Sequence, residues 1–67
     1  MNNIHPTAII EDGAQLGDNV TVGPYSYVGP QVVLNDGVTL ISHVWVGGDT
    51  TVGENTEISP FAVIGGK

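Results

Sequence analysis

The sequence predicts an all-β protein that winds as a parallel β-helix, and three repeating features predict this fold. A large aliphatic residue returns at every sixth position without any change of phase. A small or β-branched residue stands two positions before each aliphatic from the second one onward, and glycine often follows the aliphatic directly. The aliphatic series is Ile4, Ile10, Leu16, Val22, Val28, Leu34, Leu40, Val46, Val52, Ile58 and Ile64.

The six-residue period indicates short strands separated by corners. Residues two apart on a strand point to the same side, so the small residue and the aliphatic both face inward. The positions after each aliphatic are mostly Gly, Pro, Asn, Asp or Glu, which form turns. A period of six does not match the 3.6 residues of an α-helical turn, and the recurring prolines argue against a helix as well.

Three such sides close most simply as a triangular prism with eighteen residues in each coil. The chain then forms one β-helix domain over 1–67, with coils at 4–21, 22–39 and 40–57 and a partial coil at 58–67. Coils stacked like neighbouring strands lie about 4.8 Å apart. We therefore expect about three and a half coils and no helical domain.

Composition excludes several classes of protein. The 67 residues contain no cysteine, so neither a disulfide nor a thiolate metal site can stabilise the chain. A formal net charge of −6 repels phosphate backbones and argues against a nucleic-acid partner. No apolar run approaches the ~20 residues that span a bilayer, and the N-terminus lacks the features of a signal peptide.

Residues eighteen apart stack on one another, and this places every aromatic residue in two outward columns of one side. The first column holds Thr7, Tyr25, His43 and Phe61, and the second holds Ile9, Tyr27, Trp45 and Val63. The other two sides are mainly polar outside. An exposed aromatic patch on a small protein indicates an interface; the alternative is that the rings only stack along the ladder. We predict a homotrimer through an oligomer interface made of Tyr25, Tyr27, His43, Trp45, Phe61, Val63 and Ile9.

The titratable residues suggest little chemistry. His43 could act as a general base or a metal ligand, but an interface histidine packed between aromatic rings explains it better. His5 precedes a proline at the first corner and is expected to cap it or face solvent. Two histidines in different columns do not make a metal site. Asp18, Asp36 and Glu54 stack at one corner as a solvated acidic ridge or a weak cation site. We therefore assign no catalytic residue, cofactor or metal.

Several segments resemble the acyl-carrier-protein-dependent UDP-N-acetylglucosamine O-acyltransferase family. They are IHPTAIIEDGA at 4–14, VGPY at 22–25, VGP at 28–30, LISHVWV at 40–46, TVGENTEI at 51–58 and FAVIG at 61–65. The resemblance implies a left-handed β-helix, although the usual crossover rule predicts a right-handed one. It also implies a homotrimer in the bacterial cytoplasm that transfers a 3-hydroxyacyl group from acyl carrier protein to UDP-N-acetylglucosamine in lipid A synthesis.

The resemblance covers only about the first quarter of such an enzyme. The general-base histidine of the family lies in a later coil, and His43 matches a different histidine of the early coils. We therefore expect a truncated N-terminal β-helix that is inactive alone and acts as a trimerising scaffold. The alternatives are a non-catalytic or engineered self-assembling module, which could also stack end to end, and a small acetyltransferase that uses His43.

Overall fold

The computed structural model describes residues 2–65, and all the regular structure in that range is β-strand. Eleven strands of two residues each end on the aliphatic residue of their hexad. They are β1 (Asn3–Ile4), β2 (Ile9–Ile10), β3 (Gln15–Leu16), β4 (Thr21–Val22), β5 (Tyr27–Val28), β6 (Val33–Leu34), β7 (Thr39–Leu40), β8 (Trp45–Val46), β9 (Thr51–Val52), β10 (Glu57–Ile58) and β11 (Val63–Ile64). No helix in this range is long and apolar enough to cross a membrane.

The strands form three parallel sheets, which are the three sides of the prism. The aromatic side contains β2, β5, β8 and β11, the second side β3, β6 and β9, and the third side β1, β4, β7 and β10. Each strand pairs with the strand eighteen residues away, as Tyr27 does with Trp45 and Val22 with Leu40. The predicted parallel β-helix and its eighteen-residue coil are therefore confirmed. The described chain measures 29 × 20 × 18 Å.

The core is a stack of aliphatic side chains along the axis of the prism. Leu34 and Leu40 are the largest fully buried side chains, and valines from both inward positions of the hexad surround them. Ser26 is the one buried polar residue in the described range, and its hydroxyl oxygen accepts a hydrogen bond from the Val44 N–H at 3.3 Å. Side chains from both inward positions of the hexad, the small residue and the aliphatic, thus form the core, as expected from the sequence.

The corners differ from the prediction in one respect. The sequence pattern predicted Tyr25, His43 and Phe61 on a side of the prism, and this was wrong, because Tyr25 and Phe61 lie in turns and His43 in a bend. The ladder of each side has only two residues, so the corner extends to the residue just before the inward small residue. Tyr25, His43 and Phe61 occupy that position, and it requires a positive φ in all three.

Candidate interaction surface

Two parallel columns of apolar side chains run up one side of the prism and its adjoining corner. The first, the side column, consists of Ile9, Tyr27, Trp45 and Val63, which are in register on the aromatic side. Ile9 is 55% exposed and Val63 68%, although both are large apolar residues. The side column therefore presents apolar area to solvent along the whole described height of this side.

The second column lies on the corner that precedes the aromatic side. Tyr25, His43 and Phe61, which we call the aromatic ridge, stack on one another in successive coils. The ring centroids are 5.2 Å apart for Tyr25 and His43 and 5.0 Å apart for His43 and Phe61. Tyr25 is 65% exposed and Phe61 78%. The ridge therefore contains the two most exposed aromatic side chains among residues 2–65.

The backbone of the aromatic ridge is strained. Tyr25, His43 and Phe61 have φ values of 60°, 51° and 65°, in the left-handed region that bulky residues rarely adopt. Hydrogen bonds between coils hold this conformation: the His43 N–H donates to the Pro24 carbonyl at 2.9 Å, and the Phe61 N–H donates to the His43 carbonyl at 3.0 Å. The Tyr25 N–H donates to the Thr7 hydroxyl at 3.0 Å.

The same hexad position at another corner shows which residues this backbone prefers. At the corner before the third side, Asn19, Gly37 and Asn55 also have positive φ. Glycine and asparagine tolerate this region best, so their choice there follows from backbone preference. The positive φ could have been predicted from the sequence, because this hexad position also holds Gly13. At the aromatic ridge the chain places rings where the turn alone would favour glycine or asparagine.

Tyr27 and Trp45 of the side column contact each other and neighbouring residues of the same chain. The Tyr27 and Trp45 rings stack with centroids 5.6 Å apart and an interplanar angle of 13°. The Trp45 indole lies across Gly47, where a Cβ atom would be 2.7 Å from Cζ3 and 2.9 Å from Cζ2. Partial burial of the phenol raises the pKa of Tyr27 above its ordinary value of 10.0, and the charge of Glu11 and a hydrogen bond to that carboxylate raise it further.

No residue of the aromatic ridge or of the side column is acidic, although the Glu11 carboxylate reaches Tyr27 of the side column. Six of the seven acids lie at the other two corners. Glu11, Asp12 and Asp49 follow strands of the aromatic side, and Asp18, Asp36 and Glu54 follow strands of the second side. The seventh, Glu57, is in β10 on the third side. At the acidic corner an Asp36 carboxylate oxygen accepts a hydrogen bond from the Asp18 N–H at 2.8 Å. Among residues 2–65 no group of three histidines or acids is arranged to hold a metal ion.

The two histidines take part in local contacts. His43 lies between the Tyr25 and Phe61 rings, with its Nδ1 3.2 Å from the Ser42 hydroxyl oxygen. His5 Nδ1 lies 2.9 Å from the Thr7 hydroxyl oxygen and 3.2 Å from the Thr7 backbone nitrogen, a geometry that caps the first corner. Among the described residues, neither ring is hydrogen-bonded to a carboxylate.

Comparison with known proteins defines the class of this fold. The pattern of the bacterial transferase hexapeptide (six repeats) family matches residues 13–48, which is more than half of the chain. The chain belongs to this family, and its coils of hexapeptide repeats fit a left-handed β-helix. A comparison with solved structures returned no significant match.

The curated relatives are more specific. The chain is 61% identical over 64 residues to the acyl-(acyl-carrier-protein)–UDP-N-acetylglucosamine O-acyltransferases of Rickettsia canadensis and Rickettsia typhi. It is 54% identical over 63 residues to the enzyme of the same name from Bartonella bacilliformis. These alignments include 96%, 96% and 94% of this chain. The chain spans about a quarter of the length of these relatives, 24%, 24% and 23% respectively.

Proposed function

We propose that this chain forms the first coils of the β-helix of a UDP-N-acetylglucosamine O-acyltransferase and acts there as a trimerising scaffold. The parent reaction is acyl transfer from acyl carrier protein to UDP-N-acetylglucosamine, in lipid A synthesis in the bacterial cytoplasm. The observation that carries the proposal is the identity of 61% over almost the whole chain to enzymes of that name. The described residues contribute a surface to this function and no catalytic group.

The size and chemistry of the exposed apolar surface support self-association. A stable protein interface buries about 800 Å² on each partner. The surface of one chain is 3902 Å², so such an interface would cover about a fifth of it. One of the three sides of the prism with its adjoining corner is large enough to contain it. The proposed interface therefore contains Ile9, Tyr25, Tyr27, His43, Trp45, Phe61 and Val63.

Electrostatics favour the same surface. Each copy carries a formal net charge of −6, so two copies repel each other wherever their acids face. The aromatic ridge and the outward positions of the aromatic side contain no acid, whereas the other corners do. Charge repulsion between two copies should therefore be weakest where their aromatic sides face each other.

Sedimentation velocity at micromolar concentration tests the scaffold. We expect a species of three copies, and we expect Tyr27→Ser combined with Trp45→Ser to dissociate or unfold it. Val33→Ser on the second side is the matched control, because Val33 also faces outward from a strand and should leave the assembly intact. A folded monomer of the unchanged chain would refute the scaffold. Stacking of copies end to end would appear in the same experiment as species larger than a trimer.

A transfer assay tests the catalytic part of the proposal. With hydroxyacyl-acyl carrier protein and UDP-N-acetylglucosamine, we expect no turnover by this 67-residue chain. Turnover that His43→Ala abolishes would instead favour the small acetyltransferase that uses His43, because His43 is the one histidine on the proposed interface.

A further inference from the structure

Two corners of the molecule contain the same dipeptide, an aspartate followed by a glycine. The two steps are Asp12–Gly13 and Asp36–Gly37. A hydrogen bond between the first carbonyl and the last N–H closes each turn, over residues 11–14 at 3.2 Å and over residues 35–38 at 3.3 Å. Both glycines have a positive φ, of 100° and 75°, which suits a residue without a Cβ atom. The local structure is therefore alike, and any difference in reactivity must come from contacts with other coils.

An aspartate that precedes glycine can react with its own main chain. The amide nitrogen of the glycine attacks the Cγ of the protonated carboxyl group, a C–N bond forms, and the hydroxyl group leaves with the amide proton as water. The product is a five-membered succinimide. When water adds at the main-chain carbonyl, the bond from that carbonyl to nitrogen breaks, and an isoaspartyl linkage of unchanged mass remains. Glycine favours the attack because no Cβ atom obstructs its nitrogen.

One residue of the preceding coil holds both reacting groups of Asp36–Gly37. An Asp36 carboxylate oxygen accepts a hydrogen bond from the Asp18 N–H at 2.8 Å, and the Gly37 N–H donates to the Asp18 carbonyl at 2.9 Å. On the following coil, the Asn55 side-chain oxygen would overlap a Cβ atom at Gly37. Attack requires both groups to leave Asp18 together, and two ordinary hydrogen bonds slow such an opening roughly tenfold or more. The fold therefore protects this step.

Asp12–Gly13 lacks that protection. Both residues are exposed, and within residues 2–65 neither the Asp12 carboxylate nor the Gly13 N–H has a hydrogen-bond partner. The next coil approaches Gly13 through Pro30, whose carbonyl oxygen would lie 2.8 Å from a Cβ atom. This approach makes glycine necessary at the position but does not engage its N–H. The carboxyl group and the amide nitrogen are thus unrestrained by other coils.

We propose that Asp12–Gly13 is a site of spontaneous isoaspartate formation, whereas Asp36–Gly37 stays as aspartate in the folded chain. The modification requires neither a partner nor the proposed acyl transfer. It creates a free α-carboxylate beside an altered main chain. That group is the substrate of a repair enzyme of the isoaspartyl methyltransferase class, which esterifies it with S-adenosylmethionine. The corner is consequently a docking site for such an enzyme once the linkage has formed.

The linkage should also loosen the first coil. It adds one carbon atom to the main chain at the corner between β2 and β3, which pair with β5 and β6. Ile10 and Leu16, the aliphatic residues of these two strands, are only partly buried against the core. A longer corner moves the two strands out of register with the next coil, so their side chains lose contact with it. The modified chain should therefore melt at a lower temperature than the unmodified chain.

Measurement at each site in the folded and the unfolded chain tests the proposal. The 67-residue chain is kept for several weeks in neutral buffer, with and without denaturing guanidinium chloride. A protease that cleaves before aspartate but not before isoaspartate reports each step, and peptide masses separate isomerisation from asparagine deamidation, which raises the mass. In the folded chain isoaspartate should form at Asp12 at least about tenfold faster than at Asp36. In guanidinium chloride the two rates should become similar.

Asp12→Glu is the matched variant. It keeps the charge, but its longer side chain would have to close a six-membered ring, which forms much more slowly. After the same incubation, methyl transfer by purified isoaspartyl methyltransferase should fall to the level of a fresh sample. Asp49→Glu is the control, because Asp49 also follows a strand of the aromatic side and precedes threonine rather than glycine. It should accept as much methyl group as the unchanged chain. Circular dichroism checks that both variants fold.

Three results would overturn the inference. The first is equal accumulation at Asp12 and Asp36 in the folded chain. The second is the absence of isoaspartate at Asp12 in the folded chain while the unfolded chain forms it. The third is methyl acceptance by Asp12→Glu at the level of the unchanged chain. None of them bears on self-association, so such a failure leaves the scaffold proposal standing.

Discussion

Replacing Gly23 with alanine should destabilise the protein, whereas the same replacement at Gly53 should stabilise it. Both glycines follow the inward aliphatic of a hexad, and neither has a positive φ, so alanine suits the backbone at both. Their surroundings differ. A Cβ atom at Gly23 would overlap the Ile41 carbonyl oxygen and lie 2.6 Å from the Ile41 carbonyl carbon. At Gly53 the nearest atom outside its chain neighbours is the Thr56 Oγ1, at 4.0 Å.

The magnitudes follow from these contacts. A glycine-to-alanine change on a compatible backbone stabilises a protein by about 0.4–1 kcal/mol, because it reduces the freedom of the unfolded chain. Gly53→Ala should show this gain. Gly23→Ala receives the same gain but must displace the backbone of the stacked coil, and overpacking of this kind costs about 1–3 kcal/mol. A side chain cannot turn aside here, since the opposing atoms belong to the main chain. The net change at Gly23 is a loss centred on about 1 kcal/mol and of at most about 2.6 kcal/mol.

Thermal and urea denaturation followed by circular dichroism will measure both changes. For a domain of this size, 1 kcal/mol shifts the melting temperature by about 4–8 °C, so the two variants should move in opposite directions. Protein concentration must be held constant, because self-association would shift the midpoint as well. Equal shifts for the two variants, or a higher melting temperature for Gly23→Ala, would refute the close approach of neighbouring coils at this corner.

Three further changes probe the core and the aromatic side. Leu34→Ala should lower the free energy of unfolding by about 2–5 kcal/mol in urea titrations, because Leu34 is fully buried in a central coil; a loss below 1 kcal/mol would contradict that packing. Ser26→Ala should cost about 1–3 kcal/mol, since it removes the hydroxyl that accepts the Val44 N–H; an unchanged urea midpoint would argue against that bond. The raised pKa of Tyr27 favours the protonated phenol in the folded state, so stability should be complete below pH 10 and fall as the pH rises through the folded pKa. Tyr27→Phe should reduce that alkaline loss in melting curves, and an identical loss would show that Glu11 and burial do not act on Tyr27.

Most of the fold could be predicted because the repeat is a burial pattern. Aliphatic residues at a strict period of six can all face one interior only if the chain turns at the same point of every hexad. That condition predicted the strand pairing of Tyr27 with Trp45 and the stacking of Tyr25 on His43, both of which the structure contains. The interface assigned to these residues stays a prediction.

The extent of each strand could not be read from the pattern. Tyr25, His43 and Phe61 were placed on one side because residues eighteen apart stack and alternate residues of a strand face outward. The structure instead places them at a corner with a positive φ, a conformation that Thr7, Gln31 and Asp49 do not adopt at the same hexad position. Alternation is a property of a local segment, whereas the point at which each strand gives way to a corner depends on coils that must stack in register.

By itself, the sequence determined the period, the inward residues and the gathering of every aromatic onto one region, because these depend only on spacing and polarity. Tertiary structure alone decided that the region divides into a strained ridge and a flat side column. The division arises from closure of the prism, which turns the Tyr25 backbone outward at a corner and lets the Trp45 ring lie across Gly47. Contacts between coils help to set both positions: the Tyr25 N–H donates to the Thr7 hydroxyl, and the Trp45 ring stacks on Tyr27.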